Sequence, residues 1–412
     1  MNRIKVLYVS YDGMTDPLGQ SQVIPYLVGL SKLGCEIHIL SAEKTINFEI
    51  NNERIKNSLD ANGIFWHPVN YTKKPPVIST VLDIFKLLRK AEKLHKTNNF
   101  EIIHCRSYIS AFIGLSFKKK YGVKFLFDMR GFYADERLDG GLWPQSNPLY
   151  RIVYKYFKTK EKDFLSNADY VVSLTSNGKN IIKNDFGFRY LPIEVIPCCA
   201  DVNHFNYNNV DVATKNKYIC ELGLSNADFV LLYLGSLGTW YMPEEMLKFF
   251  SVLKNKMSNA KFLIITRDDP SLIYSLAEKF DLKSEDILIH PANYPDIPAL
   301  ISLANLAIFF IKPVFSKKAS SPTKLAELLG MGIPVICNSS VGDLDIFFKE
   351  YELGILIKEF TEEEYLNTVE RIEELKNIPK EQLRQIACNL FSLDEGIKKY
   401  FNIYKNLTGL SN

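Results

Sequence analysis

Two serines, a threonine, a lysine and a glutamate crowd residues 320–327, which read Ser320-Ser321-Pro322-Thr323-Lys324-Leu325-Ala326-Glu327. The spacing predicts a helix with Ser321 as its N-cap and Pro322 at the first helical position, where a missing N–H costs nothing. Leu325, Leu328 and Leu329 fall at i, i+3 and i+4 and form one buried stripe, while Thr323 and Glu327 point off it. Gly332 predicts the C-cap, and Pro334 restarts the chain as a strand. Such a start offers anion binding, because its first N–H groups lack intrahelical partners and the dipole favours negative charge. A carboxylate one turn further in is placed to accept hydrogen bonds from a ribose diol. Taken alone, the same residues also fit an ordinary capped helix.

A second concentration of polar groups follows an apolar run. Asp128-Met-Arg130-Gly-Phe-Tyr133-Ala-Asp135-Glu136-Arg137 places three acids, two arginines and aromatic rings in an expected loop. Sugars are gripped by carboxylates on hydroxyls and by rings on C–H faces, so an acceptor pocket is expected here. His104-Cys-Arg106 closes another apolar run, and Gly13 to Gln20 forms a glycine-containing loop after the first.

The elements that must position these residues alternate. Apolar runs of strand length lie near 4–10, 36–42, 64–69, 101–106, 124–129, 170–175 and 194–198, with helical patterns between several of them, including one from about Gln20 to Leu33. A second series begins at Phe229 and runs through 261–266, 287–290, 306–311, 334–337 and 353–357. Regular βα alternation predicts parallel, doubly wound sheets with ligands at the carboxyl ends of the strands. Two domains are expected, 1–195 and 196–392, with the amphipathic helix of 393–412 packing back on the first. The alternation weakens around 197–205 and the stretch 206–226 is polar, which places the domain boundary here.

Composition bounds the function. With 412 residues, 47% apolar and 24% charged, the chain reads as a globular protein too long for one core. No apolar run reaches spanning length, and the N-terminus reads as a strand, so a cytoplasmic protein is expected. The seven cysteines lack C-x-x-C spacing and read as reduced, and no Cys/His cluster suggests a metal. Residues 1–195 carry 28 basic and 19 acidic side chains, a net +9, against −6 in the remainder. Lys86, Arg89, Lys90, Lys93 and Lys96, interleaved with Leu82, Ile84, Phe85, Leu87 and Leu88, permit contact with an anionic membrane face. Near-neutral overall charge argues against nucleic acid. The absence of G-x-G-x-x-G argues against a dehydrogenase.

Over essentially its whole length the chain resembles the family 4 retaining glycosyltransferases of GT-B architecture, two Rossmann-like domains facing across a cleft. Ser320 to Ile336 is similar to that family's donor signature, Gly13–Gln20 to its glycine loop, and Pro197-Cys-Cys-Ala-Asp201 with Phe205 to its linker. The Asp16–Gln22 and Asp128–Phe132 runs resemble a bacterial subgroup associated with surface polysaccharide assembly.

The resemblance implies transfer of a sugar from a nucleotide sugar to a glycan or lipid-linked hydroxyl, with retention and without metal or cofactor. It implies donor contacts from Gly19, Gly235, Ser236, Arg267, Ser320, Ser321, Thr323, Lys324 and Glu327, with Glu327 on the ribose. Acceptor contacts are expected from Gln20, His104, Arg106, Glu136 and Arg137, and catalytic assistance from Asp128, Arg130 and Asp135.

Two departures stand out. The signature's first glutamate would fall at Ala319, and Gly235-Ser236-Leu-Gly-Thr-Trp240-Tyr241 stands where the family has an arginine and a lysine. Lys324, Arg267 and Lys312 are the cations left to compensate a diphosphate. A GT-B nucleotide-sugar epimerase and a catalytically silent sugar-nucleotide-binding protein are the alternatives.

Overall fold

The first strand, β1 (Ile4–Ser10), is buried at every position but Lys5, as a strand covered on both faces must be. It is the third of seven strands in a sheet of order β3-β2-β1-β4-β5-β6-β7. The others are β2 (Cys35–Glu43), β3 (Phe65–Asn70), β4 (Ile102–Arg106), β5 (Lys124–Asp128), β6 (Tyr170–Ser173) and β7 (Ile193–Val195). Every pairing is parallel; Val6, for example, lies between Ile37 and Ile102. The order reverses between β1 and β4, so their carboxyl ends open a crevice for ligands.

A computed structural model describes residues 3–410. The chain divides into two compact units, 1–197 together with 393–412, and 198–392. The second unit carries its own parallel sheet, β10-β9-β8-β11-β12-β13. Its strands are β8 (Phe229–Leu234), β9 (Ala260–Ile265), β10 (Ile287–His290), β11 (Leu306–Phe309), β12 (Val335–Asn338) and β13 (Gly354–Ile357). The reversal now falls between β8 and β11. Both units are therefore doubly wound and share one strand plan.

The last helix, Leu393–Thr408, belongs to the first unit. Ile397, Tyr400, Ile403, Tyr404 and Leu407 form its buried face, which packs on the helix Ile24–Lys32 and on β4. The helix Ile78–Asn98 lies over β2 and β3 and leaves Ile78, Val81, Leu82 and Phe85 exposed, whereas Leu87 turns into the core.

Two local expectations are corrected, the helix over 20–33 and the loop after β5. The helix anticipated over 20–33 is two helices, Pro17–Gln22 and Ile24–Lys32, broken at Val23. Pro25 explains the break, since it has no N–H for the carbonyl four residues back. The stretch 206–226 holds a helix, Val212–Glu221, capped by Asp211, whose carboxylate accepts from Thr214 N at 2.8 Å. The expected loop after β5 is also partly helical, Tyr133–Asp139.

Candidate functional site

In the second unit the helix Thr323–Gly330 follows β11 and leads into β12. It starts one residue later than expected. Pro322, with ψ of 113°, occupies the cap position, and no side chain caps the first turn. Ser321 is thereby released from capping, and its Oγ accepts from Cys198 N at 3.1 Å. Thr323 and Ser320 are half-buried at the helix entrance. Gly332 takes the left-handed conformation expected at the far end, with φ of +66°.

Lys324 is the unusual member. Its side chain is buried at 6% exposure and its Nζ has no hydrogen-bond partner. The ammonium stands 3.6 Å from the ring centroid of Tyr241 and 4.3 Å from that of Tyr233. Rings can stabilise a desolvated cation by about 2 kcal/mol. They cannot replace the three hydrogen bonds an ammonium makes in water. Burial pulls the Lys324 amine well below its ordinary range, with Glu327 acting in the opposite sense.

Gly235, with φ of +130°, closes over this group. A Cβ there would lie 2.8 Å from Lys324 Nζ, so glycine is required by conformation and by space. Ser236 is exposed beside it, and its carbonyl accepts from Tyr233. Glu327, half-buried one turn along from Lys324, is pushed up to about 7 by burial against the pull of that ammonium.

Arg267, at the end of β9, is turned elsewhere. Its Nε donates to Ala292 O and its guanidinium to Asn293 Oδ1, both at 2.9 Å. Arg267 therefore holds the loop after β10. Lys312 is exposed, and its backbone N–H donates to Trp240 O at 2.9 Å.

In the first unit the ends of β4 and β5 bring His104, Arg106, Asp128 and Arg130 together. Tyr400 donates to Asp128 Oδ2 at 3.0 Å, and Tyr404 OH pairs with His104 Nδ1 at 2.7 Å. The remaining separations are long: 3.6 Å from His104 Nε2 to Asp128, 4.0 Å from Arg106 and 3.9 Å from Arg130. Burial alone would raise the Asp128 carboxyl, but Arg130, His104 and Arg106 outweigh it and hold the group below its ordinary range. Burial lowers His104 and keeps it neutral. The cavity among these groups is about 10 Å³, room for about one water. His104 and Arg106, only 2% and 4% exposed, thus support Asp128 and do not line an open acceptor pocket, which corrects the expectation. Arg130 sits in the left-handed region at φ of +58°, the kind of backbone strain that surrounding structure must hold in place.

Asp135 is corrected as well. Its carboxylate accepts from Tyr154 and Lys158, each at 2.8 Å, so it ties its helix to Pro148–Asn167 and is not free for catalysis. Arg137 stacks on Tyr133 at 4.9 Å, and Glu136 beside it is half-buried. Gln20 donates to Thr15 O and accepts from Arg54. Gly19 is helical and buried; a Cβ there would meet Gly13 O at 2.2 Å, so it packs against its own loop.

The sequence did not single out Tyr233, Tyr400 or Tyr404 as polar partners. Tyr400 and Tyr404 are four apart on an amphipathic helix, where they read as core. Among the described residues no three His, Cys, Asp or Glu side chains converge on a metal position, and no helix is long and apolar enough to cross a membrane.

Residues 23–204 match the model of Glycosyltransferase Family 4, and residues 214–388 that of Glycosyl transferases group 1. No curated protein matches the chain in sequence. Among solved structures, the sucrose-phosphate synthase of Thermosynechococcus elongatus superimposes with a TM-score of 0.74 at 15% identity, over 99% of this chain and 100% of that one. A glycosyltransferase from Rickettsia africae gives 0.72 at 18% identity, with both chains fully covered. Anabaena Alr3699/HepE, solved with UDP and glucose, gives 0.70 at 12% identity over 99% and 100%. At these identities the superpositions establish the GT-B fold, and the two family models together establish that the chain belongs to the glycosyltransferases.

Proposed function

We propose that the chain transfers a sugar, with retention of configuration, from a nucleotide-sugar donor to a hydroxyl of a glycan or lipid-linked acceptor. The observation that carries this reading is Lys324, a buried ammonium without a hydrogen-bond partner, beside Gly235 at a helix start and one turn from Glu327. An isolated charge in such a place is costly unless a ligand completes it. A diphosphate would do so, with Glu327 on the ribose and the amides from Ser320 to Thr323 on the phosphates. The UDP and glucose of the HepE structure support a donor of this class.

Transfer then proceeds on one face of the sugar. The bond from C1 to the diphosphate oxygen breaks, the acceptor oxygen bonds to C1 on that same face, and the acceptor proton passes to the departing phosphate. The protein contributes position and charge, with Lys324 stabilising the leaving diphosphate and no metal or cofactor required. Arg130, half-buried and paired with the buried Asp128, orients the acceptor. The motif runs Asp16–Gln22 and Asp128–Phe132 favour a role in bacterial surface polysaccharide synthesis. The exposed Ile78, Val81, Leu82 and Phe85, with Arg89 and Lys93 beyond them, fit the cytoplasmic face of an anionic membrane.

A thermal-shift screen of UDP-, GDP- and ADP-sugars tests the donor site, since selective ligands raise Tm. Failure of every nucleotide sugar to stabilise the protein would refute the reading. Ala319, buried where the family signature has an acid, favours a second reading as a silent sugar-nucleotide-binding protein. Labelled-sugar transfer to a lipid-linked acceptor decides between them.

A further inference from the structure

We propose that Asp12 is the carboxylate that holds the acceptor, by accepting hydrogen bonds from hydroxyls flanking the attacking one on an uncharged sugar. This inference rests on the reading of the chain as an enzyme that glycosylates a glycan or lipid-linked hydroxyl. Asp12 lies just after β1, where the strand order of the first sheet reverses and doubly wound sheets hold their ligands. The neighbouring acids are engaged. Asp128 is buried and accepts from Tyr400, and Asp135 accepts from Tyr154 and Lys158. The Asp12 side chain, in contrast, is 44% exposed, and among the described residues no donor hydrogen-bonds to its carboxylate.

Its backbone is fixed from both sides. The Ser10 hydroxyl, buried at the end of β1, donates to Asp12 O at 2.8 Å and accepts from Asp12 N at 3.1 Å. Two residues further on, Met14 N donates to the buried Glu43 at 2.8 Å. A residue pinned in this way presents its side chain in one place.

Arg106 sets the direction of the carboxylate. Ser10 pairs with Arg106 across β1 and β4, and Arg106 with Asp128 across β4 and β5. The guanidinium therefore stands between two acids, with Nε 3.5 Å from Asp12 and Nη1 4.0 Å from Asp128. It is 4% exposed, and its Nε has no hydrogen-bond partner. Arg106 thus draws Asp12 by charge and leaves the lone pairs of that carboxylate open. Asp12 is also close enough to act on the Tyr133 hydroxyl. Burial raises that group above its ordinary range, Arg137 opposes the rise and Asp12 adds to it.

Such a carboxylate suits a polyol. It offers about four lone-pair sites, and a hydroxyl donating to an ionised oxygen makes a shorter, stronger bond than it makes to a neutral one. Sugar hydroxyls can replace the waters there one for one, whereas a phosphate or carboxylate would meet Asp12 as a like charge. Held by its flanking hydroxyls, the acceptor ring keeps the attacking oxygen in place, and the proton of that oxygen still leaves with the diphosphate.

Transfer assays on the full chain test this, with octyl glycosides of glucose, galactose, mannose and N-acetylglucosamine as acceptors and the nucleotide sugar that stabilises the native chain as donor. With the glycoside that accepts sugar, Asp12→Asn is expected to lower kcat/KM by about tenfold to a hundredfold, mainly through the acceptor KM. The Kd of the nucleoside diphosphate should stay within about twofold of the native one. Monodeoxy forms of that glycoside give a readout that a structural role would not move. The form lacking the contacted hydroxyl should cost the native chain about as much as the substitution does, and cost the Asp12→Asn chain less than about threefold more. Asp12→Ser repeats the test should the first variant fail to fold. Native acceptor kinetics in the folded variants overturn the proposal. So do equal losses of acceptor and diphosphate binding, or deoxy effects that multiply fully with the substitution. A chain that binds nucleotide sugar and transfers to none of these glycosides overturns it as well, with the donor site left standing. If no nucleotide sugar binds, the nucleotide-sugar reading falls and this proposal with it.

Discussion

The carboxylate of Glu43 occupies the space that a side chain on Gly13 would need: a Cβ there would lie 2.7 Å from Glu43 Oε2. The same carboxylate accepts from Met14 N at 2.8 Å, Thr15 N at 3.1 Å, Thr15 Oγ1 at 2.6 Å and Ser41 Oγ at 2.6 Å. One buried acid at the end of β2 therefore shapes the loop after β1. Gly13→Ala should push the carboxylate out of these bonds, and Glu43→Gln should weaken them while keeping the shape. Hydrogen bonds to a charged group contribute about 1.5–3 kcal/mol each. Urea unfolding should show a loss of at least about 2 kcal/mol for Gly13→Ala, with a smaller loss for Glu43→Gln. Native stability in both variants would mean that the loop is held by other contacts.

Glu327 should separate stability from function. Its carboxyl has an ordinary value of 4.5 and rises to about 7 by burial. In the folded chain it stays protonated at a pH where the unfolded chain has already released its proton, so folding loses stability as pH rises from 4.5 to 7. Glu327→Gln removes that loss. The variant should be more stable than the native chain by up to about 3 kcal/mol above pH 7, and the gain should vanish by pH 4.5. Nucleotide binding should fall by about a hundredfold or more, as loss of a buried charged partner implies. Melting curves across this pH range, paired with titration, provide the check. A gain that persists at pH 4.5 would contradict the assignment.

The histidine pair at the edge of the first sheet predicts acid sensitivity. His38 Nδ1 and His67 Nε2 are 3.0 Å apart, and His67 is held down to about 4 by burial, then by His38 and Lys90. Folded His67 thus stays neutral while the unfolded chain takes up a proton below its ordinary 6.5. Stability should be intact above pH 6.5 and fall between 6.5 and 4. His67→Gln should flatten that part of the curve by roughly 1–2 kcal/mol, visible in urea midpoints at pH 7 and pH 5.

The exposed stripe of the Ile78–Asn98 helix gives a binding prediction. Ile78 is 58% and Phe85 56% exposed. Leu82→Glu with Phe85→Glu should leave Tm unchanged and reduce cosedimentation with phosphatidylcholine vesicles containing roughly a third phosphatidylglycerol. The native chain should release from those vesicles at high salt, because charge and apolar area act together. Equal recovery of native and variant chains on the vesicles would sink the membrane role.

The strands were legible because a parallel strand is apolar along its length, as Ile4–Ser10 and Phe229–Leu234 show. Less legible was how far a polar side chain would travel to find a partner. Asp135 looked available because Tyr154 and Lys158, which engage it, lie on the next helix. His104 and Arg106 looked like a pocket because the helix that covers them comes some 300 residues later. Lys324 was singled out as a candidate cation. Its burial against Tyr233 and Tyr241 was not readable, since those rings come from β8 and the loop after it. Ser321 looked like a cap, and only the extended backbone at Pro322 shows that it is not.

The closing helix has a consequence for synthesis on the ribosome. The helix Leu393–Thr408, which covers His104 and pairs Tyr400 with Asp128, is translated only after the whole of 198–392 has followed the sheet it packs on. At about 5–20 residues per second, the early part waits on the order of 10–40 s with that face uncovered. Until then a buried aspartate lacks its donor and an apolar surface stays in water. A nascent chain stalled before residue 393 should therefore be the species that chaperones hold and proteases cut, and emergence of the helix Leu393–Thr408 should end both.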